Sequence, residues 1–329
     1  MSLRLIFAAV CCAAIVCGQA NTRLQSPRVT PGKWTPASRT PDGQPDISGI
    51  WTNSVTTPLE RPAALAGKEF FTADELKENE KKALETSSAE AIAGTAVHYD
   101  FSQFGLDPAQ QTRATTQRTS LIFDPPDGKI PQMTADGKQR QADRAARNRG
   151  HQFDGVKNRP LGERCIILPQ TGPPMLTGAY NNNIEIFQTP GYVVIESEMI
   201  HDARIIPLDG SPHMPSDVTQ WMGDPRGHWE GNTLVVDSTN FNDQTNFRGA
   251  SRNLHVVERF TRTTPDTIMY RFTVDDPSTW AQPWSAEMPM TATAGPLYEF
   301  ACHEANYGLV NTLKGARAKE KEQKENDQK

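Results

Sequence analysis

Apolar and polar residues alternate with a period of two over much of the second half of the chain. Short runs of this kind follow one another at 183–188, 192–198, 203–207, 227–230, 233–237, 254–262, 267–274, 284–290 and 297–302. That period places successive side chains on opposite faces of a β-strand. Thr189-Pro190-Gly191 and Gly231-Asn232 stand between runs and carry hairpin chemistry. No long helical pattern separates the runs. A doubly wound parallel sheet, whose crossovers need helices, is therefore excluded. The pattern predicts a mainly β, antiparallel fold: a lipocalin-like closed barrel, with a β-sandwich as the alternative. Gly49-Ile50-Trp51 and Gly227-His228-Trp229 add a weak Gly-x-Trp signal in the same direction. Ile268, Tyr270, Phe272 and Val274 share one face of a strand, and Trp284, Ala286, Met288 and Met290 one face of the next. Such rows suit a soft apolar interior that either fills itself or holds a ligand.

The first half is less regular. Residues 73–87 read as a helix, with Thr72 as N-cap and Glu75 completing a capping box. Thr119 to Ile130 reads as strand, tight turn at Asp124-Pro125-Pro126-Asp127-Gly128, and strand. Residues 135–149 read as a polar helix. Residues 21–48, rich in Pro, Ser, Thr and Gly, read as an extended arm. A single β-rich domain is expected over 49–313, with an irregular and helical part at 49–160 wrapped on an antiparallel part at 161–313. The nearly all-charged stretch 314–329 is expected to be a disordered tail.

Residues 1–20 have the form of a signal peptide. Arg4 gives a positive start, Leu5 to Cys17 is an apolar run, and Gly18-Gln19-Ala20 places small residues at a cleavage point. The run is shorter than the roughly 20 residues that span a bilayer. The expected location is periplasmic or secreted, with no membrane association after cleavage. Lys and Arg number 34 against 39 Asp and Glu, for a net charge of −5, which argues against nucleic acid as a partner. With 25 Pro and 23 Gly the chain is built of turns rather than a helical bundle. Beyond the leader only Cys165 and Cys302 remain, and two thiols in an oxidising compartment are expected to pair.

Nucleotide-cofactor motifs, a Gly-x-Ser-x-Gly elbow, Cys-x-x-Cys and His-Glu-x-x-His are absent from the sequence, so no cofactor and no metal site are expected. Among the seven His, four lie in stretches dense with functional side chains. His201 would end an inward apolar row if strand alternation ran unbroken from Val193 to Ile205. There it is either a satisfied core residue or the polar group of a pocket floor. Arg204, nearby, suits a ligand carboxylate or Glu304. His213 lies in a Gly/Pro turn. His228 and Glu230 share one face of a strand, with Trp229 on the other and inside. His303, Glu304 and Tyr307 follow the expected bridge at Cys302, and an imidazole, a carboxylate and a phenol in sequence suit acid–base work or ligand holding. The candidate set is His201, His303 and Glu304 as acid–base groups. Arg204, His213, His228, Glu230 and Tyr307 are the candidate ligand contacts.

Several strings resemble an uncharacterised family of secreted proteins common in Acidobacteria and some Proteobacteria. They are Arg39-Thr40-Pro41-Asp42-Gly43-Gln44-Pro45-Asp46, Gly49-Ile50-Trp51, His201-Asp202-Ala203-Arg204-Ile205-Ile206, Gly227 to Asp237 (GHWEGNTLVVD), and Cys302-His303-Glu304. The resemblance covers about 35–320 and implies a group of site positions; it brings no settled activity. The family often has Gly where this chain has Ala305 and Asp where it has Asn232. Asn232 argues against a carboxylate ligand there, and Ala305 against a required left-handed turn. The function expected is binding of a small, partly apolar molecule. The alternative is an extracytoplasmic hydrolase, lyase or isomerase.

Overall fold

The computed structural model describes residues 34–86, 114–178, 180–245, 247–304 and 306–328. The leader expected at 1–20, the first part of the arm and position 305 lie outside the described residues. The strands are β1 (Gly49–Thr52), β2 (Ile122–Asp124), β3 (Asn183–Thr189), β4 (Tyr192–Ser197), β5 (Ala203–Pro207), β6 (Asp224–Glu230), β7 (Thr233–Thr239), β8 (His255–Thr264), β9 (Thr267–Asp275) and β10 (Trp284–Ala292). The helices are α1 (Ala73–Thr86), α2 (Ala135–Asn148) and α3 (Tyr307–Asp327).

Nine strands form one antiparallel sheet in the order β5-β4-β3-β1-β10-β9-β8-β7-β6, and β2 adds to β10 beside β1. The sheet curls until its edges nearly meet, so the fold is a nearly closed barrel rather than a sandwich. β6 comes close to the end of β5 because residue 227 is Gly. A Cβ there would lie 2.6 Å from the Leu208 side chain and 2.7 Å from that of Ile206. Alternate residues face inward as the pattern requires: Val256, Glu258 and Phe260 on β8, Ile268 to Val274 on β9, Trp284 to Met290 on β10, all buried. The capping box of α1 is present. The Thr72 hydroxyl accepts from the Glu75 amide at 3.3 Å, and Glu75 accepts from the Thr72 amide at 2.8 Å.

The hairpins β3–β4, β6–β7 and β8–β9 turn at one end of the barrel, and the arm seals that end. The Arg262 guanidinium sits over both Trp34 and Trp51, 4.9 Å from each ring centre. Arg39 donates to Asn232 Oδ1 at 3.0 Å, and Asn232 donates to the Pro36 carbonyl at 3.1 Å. Trp229, half-buried and inward as expected, donates to Gln44 at 3.2 Å. The strings 39–46 and 227–237 thus meet here and hold the arm to the β6–β7 turn. Asn232 uses both of its side-chain polar atoms on the arm.

Four expectations are corrected. The chain turns at 198–202, where Ile200 and His201 both take positive φ (67° and 57°). This resets the alternation, so Arg204 and Ile206 point inward while Ile205 is exposed. Residues 297–302 form no strand; they return along the outside of the barrel. The irregular N-terminal half contributes β1 and β2 to the sheet, and no strand follows the turn at Asp124–Gly128. The charged stretch from Lys314 is the body of α3, not a disordered tail. Its Lys, Glu, Ala and Gln are strong helix formers, and the Asn306 side chain caps the helix by accepting from the Leu309 amide at 3.2 Å. No helix of the described residues is long and apolar enough to cross a membrane.

Candidate functional site

The far end of the barrel, away from the hairpins, carries the long loops. Its bore is filled. The segment Gly172–Leu176 is wholly buried and plugs it, and the Met175 amide donates to the Tyr270 hydroxyl at 3.0 Å. Tyr270 in turn donates to Glu258 at 2.7 Å, and Arg204 grips the same carboxylate at 2.6 and 3.1 Å. Burial works against the charge of Arg204, but Glu258 more than offsets it and holds the guanidinium pKa above its usual value. Burial, then Glu258, pushes the Tyr270 phenol well up. Of the two possibilities for the interior, the described side chains and the Gly172–Leu176 segment fill it.

Outside the plug lies a cleft of about 650 Å³, within the range of small-molecule sites. Its apolar wall is Leu161, Ile167, Leu168, Pro173, Leu176 and Phe247; its charged wall is Lys157, Arg159, Arg164 and Arg248. Phe247 stacks on the buried Trp284 with ring centres 6.2 Å apart, which fixes the cleft to the barrel core. Arg159 is occupied by a two-pronged pair with Glu163 at 2.8 and 2.9 Å. Lys157, Arg164 and Arg248 make no side-chain hydrogen bond or ion pair with any described residue. Arg248 has φ 47° and ψ 32°, a left-handed conformation unusual outside glycine. Desolvation lowers its pKa, opposed by the charge of Glu60. A second recess of about 620 Å³ opens on the other side of the same arginine, between α2, Met133 and Trp280, and shares Asn148 and Arg248 with the first.

None of the site residues expected from sequence lines this cleft. His201 sits on the β4–β5 turn, 3.1 Å from Glu196. Arg204 is inside the barrel on Glu258, so the expected ligand or Glu304 is replaced by a strand residue; the reset phase at 198–202 turns it inward. His213 lies between Asp224 at 3.1 Å and Asp237 at 3.2 Å, and His255 reaches the same Asp237 oxygen at 3.0 Å. Hydrogen bonding from His255 leads in lowering the Asp237 pKa, and the same bond raises that of His255. His228 and Glu230 pair at 3.2 Å on the outer face, and Arg259, the larger cause, holds the Glu230 pKa down. His303 and Glu304 are exposed on a turn, and Tyr307 is exposed at the start of α3. No hydrogen bond or ion pair joins His201 or Arg204 to His303, Glu304 or Tyr307 among the described residues.

The expected bridge is present: Cys165 and Cys302 are joined, with Cα atoms 5.8 Å apart. Asn306 reinforces it by donating to the Glu163 carbonyl at 2.7 Å. The bridge therefore steadies the loop that carries Arg164, not an acid–base pair. Among the described residues no group of three or more His, Cys, Asp or Glu is arranged to hold a metal.

Sequence reasoning missed the cleft because its cations come from two separate loops with no common motif. It also missed Glu198, 1% exposed, whose Oε2 has no partner and whose pKa burial raises. A run of Glu196-x-Glu198 reads as a solvated face until the turn after it is known. Fold and cleft together define a plugged antiparallel β-barrel with a cationic, apolar-walled cleft at its loop end. No family model matches the chain, and no curated protein and no solved structure matches it.

Proposed function

We propose that this protein binds a small, partly apolar molecule in the cleft at the loop end of the barrel. The carrying observation is the cleft itself, of about 650 Å³, with six apolar residues on one wall and a rigid base on the barrel core. The filled bore supports a site outside the barrel rather than in its lumen. The binding takes place outside the cytoplasm, in the periplasm or after secretion. The bridge between Cys165 and Cys302 fits an oxidising compartment, and the leader expected at 1–20 and the family resemblance support the same location.

The test uses a neutral apolar fluorophore, N-phenyl-1-naphthylamine, titrated into the purified protein. Its emission should rise on binding. Ile167→Trp, a half-exposed wall residue enlarged into the cleft, should abolish that rise while the melting temperature stays unchanged. No rise with the unaltered protein, or a rise that Ile167→Trp does not reduce, overturns the reading.

A further inference from the structure

Three cations line one cleft with no side-chain hydrogen bond or ion pair to any described residue: Lys157, Arg164 and Arg248, the last in the field of Glu60. Elsewhere the chain engages many of its arginines: Arg118 with Glu69 and Glu287, Arg226 with Asp224, Arg259 with Glu230. The fourth cation at the cleft, Arg159, is likewise satisfied by Glu163. A partly desolvated guanidinium with no carboxylate in contact is costly, and an anion beside it removes that cost.

The backbone adds an independent observation. Arg248 stands in the left-handed region, where a side chain is strained and glycine is not. The next residue is Gly249, with φ 92°, where a Cβ would lie 2.9 Å from Met133. The turn therefore already has one glycine where the backbone is left-handed, and carries an arginine at a second left-handed position that glycine would adopt without strain. The strain holds the guanidinium at the junction of the two recesses, which share this residue and Asn148.

We propose that the molecule bound in the cleft is an amphiphilic anion, an apolar body with one terminal carboxylate, whose head group is held by Arg248 and drawn in by Arg164 and Lys157. The apolar body lies against Leu161, Ile167, Leu176 and Phe247, and the head group faces the junction of the recesses. Arg248 offers a planar fork that matches a carboxylate with two parallel hydrogen bonds. The chain as a whole is acidic, with net charge −5, so the local cationic rim is what lets an anion approach. This inference rests on the reading that the cleft binds a small apolar molecule.

The experiment compares decanoate with decan-1-ol as competitors of bound N-phenyl-1-naphthylamine, on the full disulfide-bonded protein. Decanoate should displace the fluorophore about tenfold better than the alcohol, as a charge-assisted pair implies, and the preference should shrink as salt rises. Arg248→Gly should bring decanoate and decan-1-ol to equal displacement, and raise the melting temperature or leave it unchanged, because it relieves the left-handed strain. Arg252→Gln, outside the cleft, should keep the preference. Equal displacement by acid and alcohol overturns the inference and leaves the cleft reading standing. A preference that survives Arg248→Gly, or a fall in melting temperature that marks Arg248 as structural, also overturns it. Failure of the fluorophore to bind removes both.

Discussion

Asp237 is the residue on which two imidazoles converge: His213 at 3.2 Å and His255 at 3.0 Å meet the same oxygen. Asp224, behind His213, is held by Arg226 at 2.6 Å. The folded pKa of His255 is raised, so its charged form stabilises the fold. That contribution is complete below about 6.5, the unfolded value, and is lost as pH rises through the higher folded value. The Asp237 pKa is lowered, so its contribution is present above about 3.9 and is lost as pH falls through the depressed folded value. Both act together between these limits. His255→Gln should therefore cost about 0.5–1 kcal/mol at pH 5.5, a range set by screening of a side chain 40% exposed, and less at pH 8.5. Paired thermal melts at the two pH values measure this, and an equal loss at both would show that the bond works without the charge. From sequence, His213 was legible only as a loop histidine and His255 not at all as its neighbour. Their meeting depends on the 208–223 connection returning along the barrel wall, which no local pattern encodes.

At the scale of elements, strands and hairpins were readable and the phase between them was not. Alternation fixed the inner rows of β8, β9 and β10 because those strands are long and regular. Pro190-Gly191 and Gly231-Asn232 marked their turns correctly. Across 198–202 the same alternation misled, since a turn of two left-handed residues consumes the phase. Arg204 consequently ties β5 to β8 and β9 across the bore. Its partner Glu258 is fully buried, and the Tyr270 hydroxyl shares the carboxylate. Removing one member of such a pair strands the other charge without water. Glu258→Gln should destabilise the protein by about 3–5 kcal/mol. The double variant Arg204→Met with Glu258→Leu should recover most of that loss, because it removes both desolvated charges. Urea unfolding of the single and double variants tests this. A double variant as unstable as the single one would mean that the pair supplies net stability rather than mutual compensation. The charged run after Lys314 shows the opposite limit: composition alone suggested disorder, whereas residue-by-residue helix propensity and the Asn306 cap account for α3.

The whole molecule is asymmetric along the barrel axis. One end is closed by three hairpins and an arm pinned through Arg39, Gln44 and the Trp34–Arg262–Trp51 stack. The other carries a buried plug and the loops that build the cleft. The Cys165–Cys302 bridge spans a sequence separation of 137 residues and acts at this loop end. It joins the loop that follows Lys157 and Arg164 to the segment leaving β10, just before α3. In the chain-entropy description a closed loop of this size contributes about 4–5 kcal/mol, an upper value because unfolded chains retain structure. Neither cysteine lies on a strand of the barrel, so the core rows from β8 to β10 should not depend on the bridge. Cys165→Ala combined with Cys302→Ala should lower the melting temperature, and reduction with dithiothreitol should lower that of the unaltered protein by the same amount. Near-ultraviolet circular dichroism at 20 °C should still report the packed aromatic cluster of Tyr270, Phe272 and Trp284. Fluorophore binding should weaken more than the core signal, because the freed loop carries Leu161, Arg164, Ile167 and Leu168. A bridge that stabilised the barrel as a unit would instead make both signals fall together, and one that did neither would leave melting temperature and binding unchanged under reduction.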